Sequence, residues 1–233
     1  MTRIMLLAAA ALLPALVAAT PALAQPLHAP IVVELFQSQG CSSCPPANAY
    51  VNAIAARPDV LALSFAVTYW DNASWKDGFD RPAYTDRQWA YARAKGRPEV
   101  FTPEVVVNGR HDVVGSNRRE LDRALDDGAR DAAAIDVAVN STRVAIAAGR
   151  VGQPADVWLV RYDPRVLNVL IGGGENSGRT LPHRNIVKQL VRLGTYTGIA
   201  ASFSIPAAPA DGLLTAALVQ TAHGGAILGA AKG

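Results

Sequence analysis

The sequence predicts an α/β fold: a mixed sheet carrying a Cys-x-x-Cys motif at a helix N-terminus, followed by a small antiparallel β unit. Three observations predict it. A β-branched run, Ile31 to Phe36, precedes Cys41-Ser42-Ser43-Cys44, and a helical pattern follows from Ala47. Strand-like and helix-like runs then alternate as far as Gly128, the order that builds sheets with helical crossovers. Beyond Ala132 the texture changes to short alternating runs separated by turns, without a repeat.

Residues 1–24 read as a signal peptide, with Arg3 as the positive head, an uncharged run from Ile4 to Ala19, and small residues at Ala22 and Ala24. Cleavage is expected between Ala24 and Gln25. Pro14 and Pro21 break the run, which is short for a span of about 20 residues, so a retained anchor is the weaker reading. No other segment of the mature chain reads as a membrane span. Gly212 to Ala231 is uncharged, but it reads as a hairpin around His223-Gly224-Gly225. A periplasmic or secreted protein is therefore expected, in a space where a disulfide persists.

Ile31 to Phe36 is a buried strand. In the following helix Ala47, Tyr50, Val51, Ile54 and Ala55 recur at helical spacing, and Pro58 stops it. Val60 to Thr68 is a second strand, Tyr69 to Pro82 an aromatic loop, and Tyr84 to Lys95 a second helix. Two valine-rich runs joined through Asn108-Gly109 give a hairpin signal. Asn117 caps a last helix that Gly128 ends. The crossovers predict three parallel strands, with the hairpin adding an antiparallel edge. The expected division is 25–130 for the α/β domain and 131–233 for a C-terminal antiparallel β-rich domain packed on it.

Composition excludes several classes. Half the residues are hydrophobic and 18% are charged, the reverse of a disordered chain. A net charge of +3 with no basic run gives no footprint for nucleic acid. The four histidines (28, 111, 183, 223) show no ligand spacing, so no zinc site is expected.

A Cys-x-x-Cys that opens a helix directly after a strand is the thioredoxin-like redox arrangement. The helix N-terminus favours a thiolate over a thiol. Cys41, at the outer end, is the expected nucleophile, and Cys44, one turn in, the resolving cysteine. A purely structural disulfide is the poorer reading, because so short a loop constrains the unfolded chain little. Soft thiolates also suit Cu(I), which keeps a metal-binding or metallochaperone module as an alternative. Thioredoxin-like folds place a cis-proline opposite the cysteines, a role that falls here to Thr102-Pro103, expected to bind a substrate backbone. Glu34, the one charge in the first strand, is a candidate proton relay. Tyr69, Trp70 and Trp75 are candidates for an apolar rim. Gly172 to Arg179 resembles a phosphate loop in glycine content alone and reads as a surface turn or family-specific loop.

The segment from Val33 through Cys41-Ser42-Ser43-Cys44-Pro45-Pro46-Ala47 resembles the signature of DUF1223, a family of exported thioredoxin-like proteins of uncharacterised function. Tyr69-Trp70-Asp71, Trp75-Lys76-Asp77, Thr102 to Gly109, Gly174-Glu175-Asn176 and Asn185-Ile186-Val187 extend the resemblance. Asn48 and Gly78 depart from the residues expected at their positions. The resemblance implies fold and export but no substrate. The function expected from the residues is an exported thiol–disulfide oxidoreductase that needs no cofactor. Its expected partners are protein thiols or disulfides and a redox partner protein, with no nucleic acid. A non-catalytic partner-binding protein with a structural disulfide is the other alternative.

Overall fold

The computed structural model describes residues 29–130 and 135–233. The expected signal peptide at 1–24 and the expected start of the second domain at 131 lie outside the described residues.

β1 (Ile31–Gln37) and β2 (Val60–Ala66) are buried along their whole lengths, as strands covered on both faces must be. They pair in parallel and are joined by α1 (Cys44–Ile54). α1 starts three residues before the apolar period predicts. Pro45 and Pro46 fall in its first turn, where a missing N–H forfeits no intrahelical bond.

α2 (Pro82–Ala94) leads to a hairpin of β3 (Glu104–Val107) and β4 (His111–Val114). Its turn residues Asn108 and Gly109 hold φ of 48° and 66°, which Asn and Gly accept most readily. Asn108 also binds the hairpin to its surroundings. Its Oδ1 accepts from Val32 N at 2.8 Å, and its Nδ2 donates to Gly128 O at 2.9 Å, near the end of α3 (Arg118–Arg130).

The expectation of three parallel strands is corrected: β3 runs antiparallel to β1, with Phe36 opposite Glu104 and Val33 opposite Val107. After α2 the chain returns through residues 95–103 to the end of the sheet where β1 finishes. β3 starts there and runs back.

The remaining elements are β5 (Val137–Val139), β6 (Arg143–Ile146), β7 (Ala155–Asp163), β8 (Leu167–Leu170), β9 (Thr180–His183), β10 (Ile186–Tyr196), β11 (Ala201–Ser204), β12 (Leu214–Thr221) and β13 (Ile227–Lys232). Strands from both halves share one eight-stranded mixed sheet in the order β13-β12-β7-β10-β2-β1-β3-β4. The seam is narrow. Ile186 of β10 pairs in parallel with Ser64 of β2, the Asn185 carbonyl accepts from Ser64 N (2.9 Å), and Asn185 Nδ2 donates to Ala62 O (2.8 Å). β11, β6 and β5 form a small second sheet, and β8 pairs with β9. The hairpin expected at the C-terminus is β12–β13. No helix among the described residues is long and apolar enough to cross a membrane.

The alternation of β1 sorts its side chains into two cores. Val33 and Leu35 meet Val51 of α1 and Leu121 of α3. Val32 and Phe36 face α2 and share a core with Tyr162, Val187 and Leu218 from the second half. Glu34 points to this second face, and is fully buried. Arg87 of α2 meets it through Nε–Oε1 (2.6 Å) and Nη2–Oε2 (3.1 Å), and the Tyr91 hydroxyl donates to the same carboxylate. Gln220 of β12 donates to Tyr91 Oη at 3.0 Å, so the network ties β1, α2 and β12 together.

A buried ion pair costs most when one partner is removed alone. Arg87→Met is expected to lose about 3–5 kcal/mol of stability in urea unfolding, because it strands the Glu34 carboxylate. The double variant Glu34→Leu/Arg87→Met should recover much of that loss; equal losses would mean that the charge on Glu34 is not what Arg87 offsets.

Candidate active site

Cys41 and Cys44 form a disulfide at the start of α1, their Cα atoms 5.4 Å apart. Both are fully buried. The chain leaves β1 at Gln37 and turns through Ser38 to Ser43, where Cys41 N donates to Ser38 O (3.2 Å) and Gly40 N to Ser38 Oγ (3.1 Å), and other backbone groups find partners outside the loop. Gln39 N donates to Asp77 Oδ2 at 2.7 Å. Asp77 is itself buried, and burial pushes its carboxyl above the usual aspartate value against the pull of these hydrogen bonds. Ser43 Oγ lies 3.3 Å from Cys41 Sγ and 3.4 Å from Thr102 O, so one hydroxyl stands between the disulfide and the peptide Thr102–Pro103, which is cis.

The aromatic loop supports the Thr102 segment from behind. Trp70 Nε1 donates to Thr102 Oγ1 at 2.8 Å. Tyr69 is 42% exposed, and its hydroxyl donates to Gln88 Oε1 at 3.1 Å; Gln88 Nε2 holds Phe101 O at 2.7 Å. Trp75 lies instead against Gly40 of the cysteine loop and Gly173 of the second half. A Cβ on Gly40 would come within 2.9 Å of its ring, and Gly173 has no room for one.

The segment Gly172 to Arg179 is a largely exposed loop whose one buried residue is Asn176. It closes over the cysteine loop from the second half of the chain. Asn176, fully buried, donates from Nδ2 to Gln39 O at 2.9 Å and Cys41 O at 2.8 Å, and Arg179 Nη1 holds its Oδ1 at 2.6 Å. Glu175 N donates to Gly40 O at 2.9 Å. Glu175 Oε2 accepts from Ser42 N at 3.0 Å and Ser42 Oγ at 2.6 Å, and these bonds hold its carboxyl below the usual glutamate value. Gly174, at φ +69°, approaches the Gly40 backbone so closely that a Cβ would sit 2.6 Å from its Cα. Sequence reasoning missed Asp77, Glu175 and Asn176. The available signal was the glycine run itself, since glycines permit close backbone approach.

Glu34 is not brought to the cysteines. Strand alternation puts it on the α2 face, opposite α1, and both its oxygens are engaged by Arg87 and Tyr91. The polar group that β1 does direct toward α1 is Gln37, whose Oε1 accepts from Asn48 Nδ2 at 3.4 Å. His183 of β9 is buried beside this region. Its ring meets Phe79 edge-on at 5.9 Å, and neither ring nitrogen makes a hydrogen bond. Among the described residues no three His, Cys, Asp or Glu side chains cluster as a metal site would require.

The family described as "Protein of unknown function (DUF1223)" matches residues 32–220. A crystal structure of a protein from Agrobacterium tumefaciens is 31% identical, with a TM-score of 0.73, over 87% of this chain and 92% of that one. HBP35 of Porphyromonas gingivalis shares 13% identity with a TM-score of 0.57, over 88% of this chain and 75% of that one, a likeness of fold alone. No curated protein matches significantly.

Burial pushes the His183 pKa from 6.5 down to about 4. The unfolded chain therefore binds a proton that the folded chain refuses, and stability falls as pH drops from about 6.5 toward 4. The loss attributable to His183 should approach about 3 kcal/mol. Urea unfolding across that range should show a shallower decline in His183→Phe than in the parent; parallel curves would mean the imidazole is protonated in the fold.

Proposed function

The chain belongs to the DUF1223 family, and from that premise we propose that it is a thiol–disulfide exchange protein acting through Cys41 and Cys44. The observation that carries this reading is the disulfide at the N-terminus of α1, directly after β1, with the cis Thr102–Pro103 peptide one hydroxyl away. We read residues 25–130 as a thioredoxin-like unit and 131–233 as a β-rich unit that contributes the covering loop. Export through residues 1–24 would keep the pair in an oxidising space.

In the reducing direction, the Cys41 thiolate attacks one sulfur of a partner's disulfide. A Cys41–partner disulfide forms, and the partner's other sulfur leaves as a thiolate that takes up a proton. The Cys44 thiol then gives up its proton and attacks Cys41 Sγ. The Cys41–Cys44 disulfide closes, the partner's second thiolate departs, and two electrons have passed to the partner. Oxidation of a partner dithiol is the same sequence in reverse. A second thiol–disulfide protein must then restore the starting state.

The roles follow from position. The helix N-terminus lowers the energy of a Cys41 thiolate, and the Ser43 hydroxyl can donate to it. Thr102 offers backbone to a substrate peptide, and Trp70 holds its side chain in place. Trp75 packs on the covering loop, so we assign it to loop closure rather than to an open rim. Glu34 is assigned to the buried ion pair. The full burial of both cysteines favours a second reading, a static disulfide, unless the loop at 172–179 swings away to admit a partner.

Cys41→Ser is expected to abolish exchange with a disulfide-bonded peptide. Cys44→Ser should accumulate the Cys41–peptide mixed disulfide, visible by mass. Full exchange in Cys41→Ser would contradict the mechanism.

A further inference from the structure

The cysteine helix receives its acidic neighbour from a distant part of the chain. α1 has no acidic residue in its first turn, and its N-cap, Ser43, makes no side-chain capping bond. Glu175 lies 133 residues from Ser42 in sequence, yet takes both the Ser42 amide and the Ser42 hydroxyl. The Ser42 amide directly follows Cys41 and directly precedes Ser43, the N-cap of α1. Glu175 is anchored by its own N–H on Gly40 O, and next to it Asn176 holds Cys41 O. Among the described residues, the ionisable side chains bonded to segment 38–43 are Asp77 and Glu175. Asp77 binds at Ser38 and Gln39, and Glu175 at the residue next to the nucleophile.

We propose that Glu175 is a positioning residue that sets the redox bias of the Cys41–Cys44 pair, its carboxylate offsetting the positive end of α1 and making the Cys41 thiolate less stable. The proposal rests on the exchange reading above and deepens it. An anion at a helix N-terminus is favourable, and two anions competing for it are less so. The disulfide carries no charge, so Glu175 does not disfavour it. Its carboxylate shifts the equilibrium away from the reduced state with its Cys41 thiolate and toward the disulfide. The electrons involved are the two exchanged with a partner dithiol, as written above.

The test uses Glu175→Gln, which keeps an oxygen acceptor for Ser42 and removes only the charge. Two quantities are read on the full chain: the Cys41 acid constant in the Cys44→Ser background, by ultraviolet thiolate absorbance against pH, and the equilibrium of the intact pair with glutathione. Glu175→Gln is expected to raise the acid constant about two- to fivefold, the range for a charge at a helix end. The glutathione equilibrium should move toward the dithiol by a similar factor at pH values above the Cys41 pKa. Glu175→Ala should move both in the same direction. An unchanged acid constant in Glu175→Gln overturns the proposal, as does a shift seen only in Glu175→Ala, which would assign the effect to the lost loop contact. The absorbance titration does not require exchange activity. A shifted acid constant in a protein that exchanges with nothing would uphold the role of Glu175 and remove the exchange reading; exchange in both proteins with an unmoved acid constant would do the opposite.

Discussion

The cysteine loop satisfies only part of its own backbone, and the architecture around it follows from that. Between β1 and α1 a tight turn pairs Cys41 N with Ser38 O and Gly40 N with Ser38 Oγ, and further groups of the loop are met from outside it. Asp77 takes Gln39 N, Asn176 takes Gln39 O and Cys41 O, and Glu175 takes Gly40 O and Ser42 N. Each buried group left unpaired would cost about 1–3 kcal/mol. The covering loop therefore has a structural task before any chemical one. The narrow β2–β10 seam and the Tyr91–Gln220 contact across the other face hold the second half where that loop can reach.

Glycine makes the close approach feasible. Gly40 and Gly174 meet backbone to backbone, and Trp75 fills the space that side chains at Gly40 and Gly173 would occupy. A fully buried disulfide under a hydrogen-bonded cover is a closed state. Among the bonds between segment 172–179 and the cysteine loop, those that Ser42 donates to Glu175 are solvent-exposed and the easiest to release.

What the sequence made legible was local. The valine-rich strands, the helix after the cysteines, the Asn108-Gly109 turn and the Cys-x-x-Cys at the strand–helix junction are each written in a few adjacent residues. The direction of β3 was not, because it depends on where residues 95–103 return. The partner of Glu34 was not either. Its alternation placed it in a strand, but the face of the sheet it occupies is settled by which helix packs there. Asn176 and Glu175 were hardest to read, since their partners lie more than a hundred residues away and periodicity reports burial without saying what does the covering.

The burial of both sulfurs and their placement at a helix N-terminus pull in opposite directions, toward a permanent crosslink and toward a working redox pair. The reduction potential of Cys41–Cys44, measured by thiol alkylation across a glutathione and dithiothreitol series, separates them. A working pair should titrate between about −120 and −270 mV, the span of disulfide oxidants, isomerases and reductases. A pair that stays oxidised well below about −300 mV would be structural, and the proposed exchange activity would be wrong.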